Sequence, residues 1–164
     1  MEKSQSAGNL NGVIFPKLTR CRTTKLNVER HTAVVGQSLE SEVTESISIA
    51  LQEADGVALP EGAPKLRIMV TISFEGIWRD KETQALALTF NGEYEGLSPF
   101  PPNATVADVN SFLEIKLYRD ILIAQTYPIA RSRMAATIQE VGINSRRDLG
   151  YDLHNTTEAV EATI

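Results

Sequence analysis

The stretch LYRDILIAQTYPIARSRMAATIQEVGI, Leu117 to Ile143, decides the fold. Its apolar residues recur at helical spacing. Ile121, Leu122, Gln125, Ile129 and Met134 carry a stripe, and Ala124, Ala130 and Ala135 offer small packing surfaces. Pro128 lies inside this pattern. A proline there removes a backbone donor, so the helix is expected to kink, with Tyr127 pushed away from α geometry. Gly142 is a natural stop. Just upstream, Val109, Phe112, Leu113 and Leu117 make one helical face, and Thr105 or Asp108 can cap its start. A helix this apolar needs a sheet face or another subunit to cover it.

Everything before it reads as strands. Between Thr83 and Tyr94, Leu86, Leu88 and Phe90 alternate with Ala85, Ala87 and Thr89. Between Lys65 and Phe74 the alternation is stronger: Leu66, Ile68, Val70, Ile72 and Phe74 point one way, and Arg67, Met69, Thr71 and Ser73 the other. The short charged link EGIWRDKE joins these two runs as a hairpin. ADGVALPEGAP, Ala54 to Pro64, is a loop by its Gly and Pro content. Before it, Val43, Ile47, Ile49 and Leu51 share a face with Glu45, and their β-branching selects strand over helix. A first strand runs within Lys17 to Arg30, with Leu26 and Val28 on one face. The fold class expected is α+β: a four-stranded antiparallel sheet followed by a long, kinked C-terminal helix. Residues 1–12 read as a disordered polar terminus, residues 13–143 as the domain, and residues 144–164 as a short helix or mobile tail.

Composition narrows the function classes. The 164 residues include 42% hydrophobic residues and 23% charged ones, enough for one domain with a real core. A net charge of −5 argues against general nucleic-acid binding. No apolar run approaches the ~18 residues of a membrane span, and the first residues lack a signal-peptide core, so a cytoplasmic protein is expected. The single cysteine, Cys21, excludes an intramolecular disulfide.

Candidate chemistry is sparse. His31 and His154 stand apart in polar stretches and read as ordinary surface histidines. Cys21 lies between Arg20 and Arg22, which would favour its thiolate, but a half-buried inert thiol is the expectation. Neither a phosphate loop, a nucleophile elbow nor a dinucleotide fingerprint is present, and no cofactor or metal is called for. Trp78, in the hairpin link, and Phe100, between prolines, are either ligand contacts or closures of the sheet end. Arg131, Arg133, Arg146 and Arg147 read as a solvated face, with anion binding as the sharper alternative.

Three stretches resemble the SecB protein-export chaperone family. TTKLNVER, Thr23 to Arg30, is similar to that family's first strand. KLRIMVTISFEG and LALTFNGEYEGL resemble its third and fourth strands, with Gly92 late in the fourth. YPIARSRMAATI resembles its Phe-Pro-Tyr-Ala-Arg segment, with Tyr127, Pro128, Ala130 and Arg131 in register. The resemblance implies an ATP-independent holdase that binds unfolded client polypeptides in apolar grooves, built as a homotetramer, a dimer of dimers. Ile47, Ile49 and Leu51 on the strand and Ile121 and Leu122 on the helix are the matching groove residues. Trp78 and Phe100 join them from the sequence reading itself. Three family features have no counterpart. The acidic sheet surface by which members dock the export motor is not evident, with Leu86 and Leu88 where the resemblance implies an acidic residue. GINSRRDLGYDL replaces the Pro-rich connection to a second helix, and the ending TTEAVEATI lacks the tail used for contact with the export motor. Fold and client holding are therefore carried over, and motor contact in protein transport is not.

Two other classes compete. A hot-dog-like thioester enzyme also lays a long helix on a curved sheet, and its acid–base residue would be Asp108, Glu114 or Asp120. That fold places its helix before most of its strands, which argues against it. The third class is a passive assembly or accessory protein, of phage or gene-cluster origin.

Overall fold

Period-two alternation sets the sheet, and only one of its faces is apolar enough to be covered. The computed structural model describes residues 9–10, 13–31, 38–54, 61–141 and 160–162. Two short strands, β1 (Asn9–Leu10) and β2 (Val13–Ile14), pair antiparallel with each other. Asn9 and Leu10 thus form a strand where the sequence predicted disorder. The main sheet follows: β3 (Arg20–Arg30), β4 (Leu39–Glu53), β5 (Leu66–Asp80) and β6 (Leu86–Pro99). Helices α1 (Val106–Glu114) and α2 (Lys116–Glu140) come next, and β7 (Val160–Ala162) is last. The strand order is β3-β6-β5-β4-β7. The four long strands are antiparallel, and β7 adds to β4 in parallel.

On β5 the alternation gives an unbroken series of buried even-numbered residues from Leu66 to Asp80. The strand therefore runs six residues past Phe74 and absorbs the link in which Trp78 was expected. Trp78 is 1% exposed and pairs in register with Ser41 and Leu88. Its ring lies over Gly76, where an added Cβ would come within 2.4 Å of it. The turn is the tighter Lys81–Thr83. Asp80 organises it by accepting from the Glu82 and Thr83 N–H groups at 3.0 and 2.8 Å and from the Thr83 hydroxyl at 2.9 Å. Gln84 closes it in the left-handed region, φ 59°.

The helical segment departs from expectation in two ways. It breaks at Ile115, whose extended backbone (φ −82°, ψ 109°) separates α1 from α2. The Arg119 guanidinium stabilises the break by donating to the Leu113 carbonyl and, at 3.2 Å, to that of Glu114. At the start of α1 both candidate caps act together. Thr105 is the N-cap, and Asp108 reaches back to the Thr105 N–H at 2.7 Å, completing a capping box. In contrast, α2 continues through Pro128, and Tyr127 stays helical. Pro128 and Ala124, whose carbonyl loses its partner, are both exposed, so water can satisfy that carbonyl. Tyr127 is held in place by its own packing, described below.

Helix α2 covers the sheet with Leu122, Thr126, Ala130, Met134 and Ile138, a stripe at four-residue spacing. Its closest approach is at Gly96 on β6. A Cβ there would meet Thr126 Oγ1 at 2.3 Å, so only glycine lets the helix sit this close. Two further bonds tie the helix down. The Leu18 N–H donates to Gln125 Oε1 at 2.7 Å, and Arg30 donates to the Val141 carbonyl at 3.2 Å. Phe15, Phe100, Phe112 and Tyr118 form an aromatic cluster at the α1 end, with ring separations of 4.7 to 5.8 Å. Gly142 and residues 144–159 of the expected tail lie outside the described residues, as do His154, Arg146 and Arg147. Val160–Ala162 is a strand, neither helix nor free tail.

Candidate functional site

The two flanks of the helix differ. Thr126 and Gln125 look toward β6 and the Phe15–Thr19 segment. Tyr127 looks toward β4: its hydroxyl meets both carboxylate oxygens of Glu45, at 2.8 and 2.9 Å. Its ring stands against Phe74 at 6.0 Å, and Phe74 is the register partner of Glu45. Ile123, one turn before Tyr127, therefore shares the β4 flank. On the sheet side, the odd-numbered residues of β4 face the helix. Val43, Ile47 and Leu51 are half-buried there and pack on the core, as do Ile123 and Tyr127 of α2. These residues mark an apolar margin of β4 and α2, and the Glu45–Tyr127 contact joins the two elements near its Val43 end.

The sequence-predicted residues divide on this geometry. Ile47 and Leu51 lie in the margin, half-exposed. Ile49, 4% exposed, and Leu122, 1% exposed, lie beneath it as its floor. Ile121 belongs to the other flank, because Gln125, one turn on, is bonded to Leu18. Trp78 closes the far end of the sheet, and Phe100 (6% exposed) sits on Phe112 at 5.2 Å. Both are core residues of the isolated chain. Val43, Ile123 and Tyr127 are the margin residues that sequence reasoning missed.

The other candidates are also placed. Cys21 is half-buried, and burial pushes its thiol pKa up, partly offset by Arg133, so the cationic neighbours do not activate it. The Tyr94 hydroxyl is buried without a hydrogen-bond partner among the described residues, and burial raises its pKa as well. Asp108 spends its carboxylate on the capping box. The two bonds from Thr105 hold its pKa below the ordinary value, which suits a cap and not a general acid. His31 is exposed, with its Nε2 3.3 Å from the Thr89 hydroxyl.

The opposite face of the sheet is polar. Glu40 and Glu42 on β4 and Glu75 on β5 are exposed there, and Asn91 donates to Glu75 at 3.1 Å. Arg22 pairs with Glu95 at 2.6 Å across β3 and β6. Basic residues share this face, with Lys25 in register with Glu93 and Arg79 with Glu40, so its charge is mixed.

Apolar residues also stay exposed on the solvent side of the helices and on β3. Leu117 is 58% and Leu26 50% exposed, and Val106, Ile115 and Ile129 are exposed as well. No helix among the described residues is long and apolar enough to cross a membrane.

A four-stranded antiparallel sheet followed by a C-terminal helical region matches a solved architecture. The chain has a SecB-like fold. It superposes on the Mycobacterium tuberculosis SecB-like chaperone Rv1957, solved in complex with a ChAD peptide from the Rv1956 HigA1 antitoxin, with a TM-score of 0.51. The alignment covers 79% of this chain and 85% of that one, at 16% sequence identity. No family model matches the chain, and no curated protein matches it in sequence.

Proposed function

We propose that this protein is a holdase: it binds extended, unfolded polypeptide segments without nucleotide, in the margin between β4 and α2. The observation that carries the reading is the half-buried apolar row Val43, Ile47, Leu51, Ile123 and Tyr127, set on a buried floor in a SecB-like frame. Apolar side chains left half-covered along a strand edge are available to another chain. Each gains about 1 kcal/mol from covering its remaining exposed area, so one contact is weak. Several in a row hold a long unfolded client while a short folded one gains little. The similar chaperone was solved with a peptide bound, which supports the same use of the frame here.

The reading extends to assembly. Leu117 and Ile129 on α2 and Leu26 on β3 are apolar and exposed in the single chain. A second copy covering the outer face of α2, with small Ala124 and Ala136 allowing close approach, gives a dimer, and two dimers give the tetramer expected from the sequence. Work in the cytoplasm belongs to the same proposal. A role in export is not part of it.

The test is a titration of a fluorescently labelled, permanently unfolded polypeptide with the purified protein, without ATP. Saturable binding that weakens in Ile47→Ser/Leu51→Ser is the expected result. No binding by the wild type overturns the reading.

A further inference from the structure

Among the described residues, the strand β7 meets the outer edge of β4 at Ile47–Ile49. Val160, Glu161 and Ala162 stand opposite Ile47, Ser48 and Ile49. That is the middle of the proposed client margin: Ile47 lines it, Ile49 is its floor, and Glu45 with Tyr127 begins two residues away. We propose that Val160–Ala162 is the chain's own stand-in for a client. It fills the strand position that an extended client segment takes, and clients bind by displacing it. This rests on the holdase reading and adds to it the mode of binding, strand addition, and a built-in competitor.

Three observations carry the inference. First, the two edges of β4 are unequal. Towards β5 all fifteen residues pair antiparallel, whereas among the described residues β7 pairs over three, in parallel, and with β4 alone. Parallel pairing is the slightly weaker kind, and three residues form only a minimal ladder. A client strand of five or more residues makes more main-chain bonds on the same edge and outcompetes it.

Second, the sequence of the stand-in fits the role. Val-Glu-Ala places apolar residues in register with Ile47 and Ile49 and a charged one with exposed Ser48. Main-chain bonds accept any sequence, and alternate side chains supply the preference. The favoured clients are therefore extended segments with apolar residues at every second position, such as unpaired strands of unfolded proteins.

Third, an uncovered strand edge beside an apolar margin is a template for self-aggregation. A short, weak strand supplied by the same chain blunts that edge when no client is present and yields when one arrives.

A reversible lock tests this. In full-length protein carrying Cys21→Ser, Ser48→Cys and Glu161→Cys place two thiols at register partners, within reach of a disulfide. The probe is a labelled, permanently unfolded model polypeptide. Oxidation is expected to give an intrachain link and to lower probe affinity at least tenfold, and reduction is expected to restore it. Val160→Pro/Glu161→Pro, which removes a ladder donor whichever of the two faces β4, is expected to raise affinity several-fold and to speed amide exchange at Ile47–Ile49. Failure of the link to form, or a link only between chains, overturns the pairing. Equal affinity in oxidised and reduced protein overturns the competitor while leaving client holding intact. Absence of probe binding in every form, wild type included, overturns the holdase reading and this inference together.

Discussion

Replacing Gly96 with alanine should separate the helix from the sheet at their closest point. An ideal Cβ at Gly96 lies 2.3 Å from Thr126 Oγ1, 2.6 Å from Thr126 Cγ2 and 3.0 Å from Leu18 Cδ1. Non-bonded heavy atoms prefer about 3.5 Å, so helix or strand must move by about 1 Å. Thr126 cannot swing away freely. It is buried, its side chain is branched at Cβ, and its hydroxyl is bonded back to the Leu122 carbonyl at 3.3 Å. Overpacking of this kind costs about 1–3 kcal/mol. The alanine recovers about 0.5 kcal/mol by stiffening the unfolded chain. The net expectation is a loss of about 1–2 kcal/mol, read from urea midpoints at unchanged slope. Thr126→Ala alone should cost about 1 kcal/mol, from a lost methyl and a weak hydrogen bond. The double variant should be less destabilised than the sum by about 1 kcal/mol, because the alanine at position 126 removes the atoms that clash. Strict additivity, or a Gly96→Ala variant as stable as the wild type, would refute the placement of α2 on β6.

Three further outcomes follow from named contacts. Tyr127→Phe should cost about 1 kcal/mol in urea unfolding, since it removes the hydroxyl that meets Glu45 and keeps the ring on Phe74. Thr105→Ala should cost about 1 kcal/mol by uncapping α1, with the loss of amide protection confined to residues 106–110. Asp80 and Asp108 are both held below the ordinary carboxylate pKa, Asp80 mainly by bonds from Thr83 and Asp108 by bonds from Thr105. Groups lowered in the folded state stabilise it above the unfolded value of about 3.9 and lose that contribution as pH falls through the lower folded value. The stability gap between wild type and Asp80→Asn should therefore be constant from pH 5 to 7 and close below pH about 4; a gap that widens on acidification would contradict the turn geometry.

The sheet was legible because one face alone is covered, which writes a clean period of two into β5 and most of β4. The extent of β5 was not. Glu75, Gly76, Arg79 and Asp80 look like turn residues. Yet Glu75 and Arg79 are outward strand positions, and Gly76 makes room for Trp78. The helix was legible, but its phase was not. Ile121, Leu122 and Ile123 are consecutive and apolar, so periodicity cannot say which of them looks toward β4; the Gln125–Leu18 and Tyr127–Glu45 bonds decide it. The break at Ile115 carries no glycine or proline signal, because it is held by Arg119 from the next helix. Pro128 signals a kink; α2 runs on through it, and solvent at exposed Ala124 can satisfy the carbonyl that loses its partner. The pairing of β7 lay beyond any local pattern, since three residues opposite a strand more than a hundred positions earlier leave no periodicity to read.

The most direct measurement of the central claim is light scattering from an unfolded, reduced client diluted into buffer with increasing amounts of this protein and no nucleotide. The wild type is expected to suppress aggregation at near-stoichiometric ratios. Ile47→Ser/Leu51→Ser, folded by circular dichroism, is expected to need several-fold more protein for the same effect. Aggregation that proceeds unchanged with the wild type, or suppression undiminished in the double variant, would contradict it.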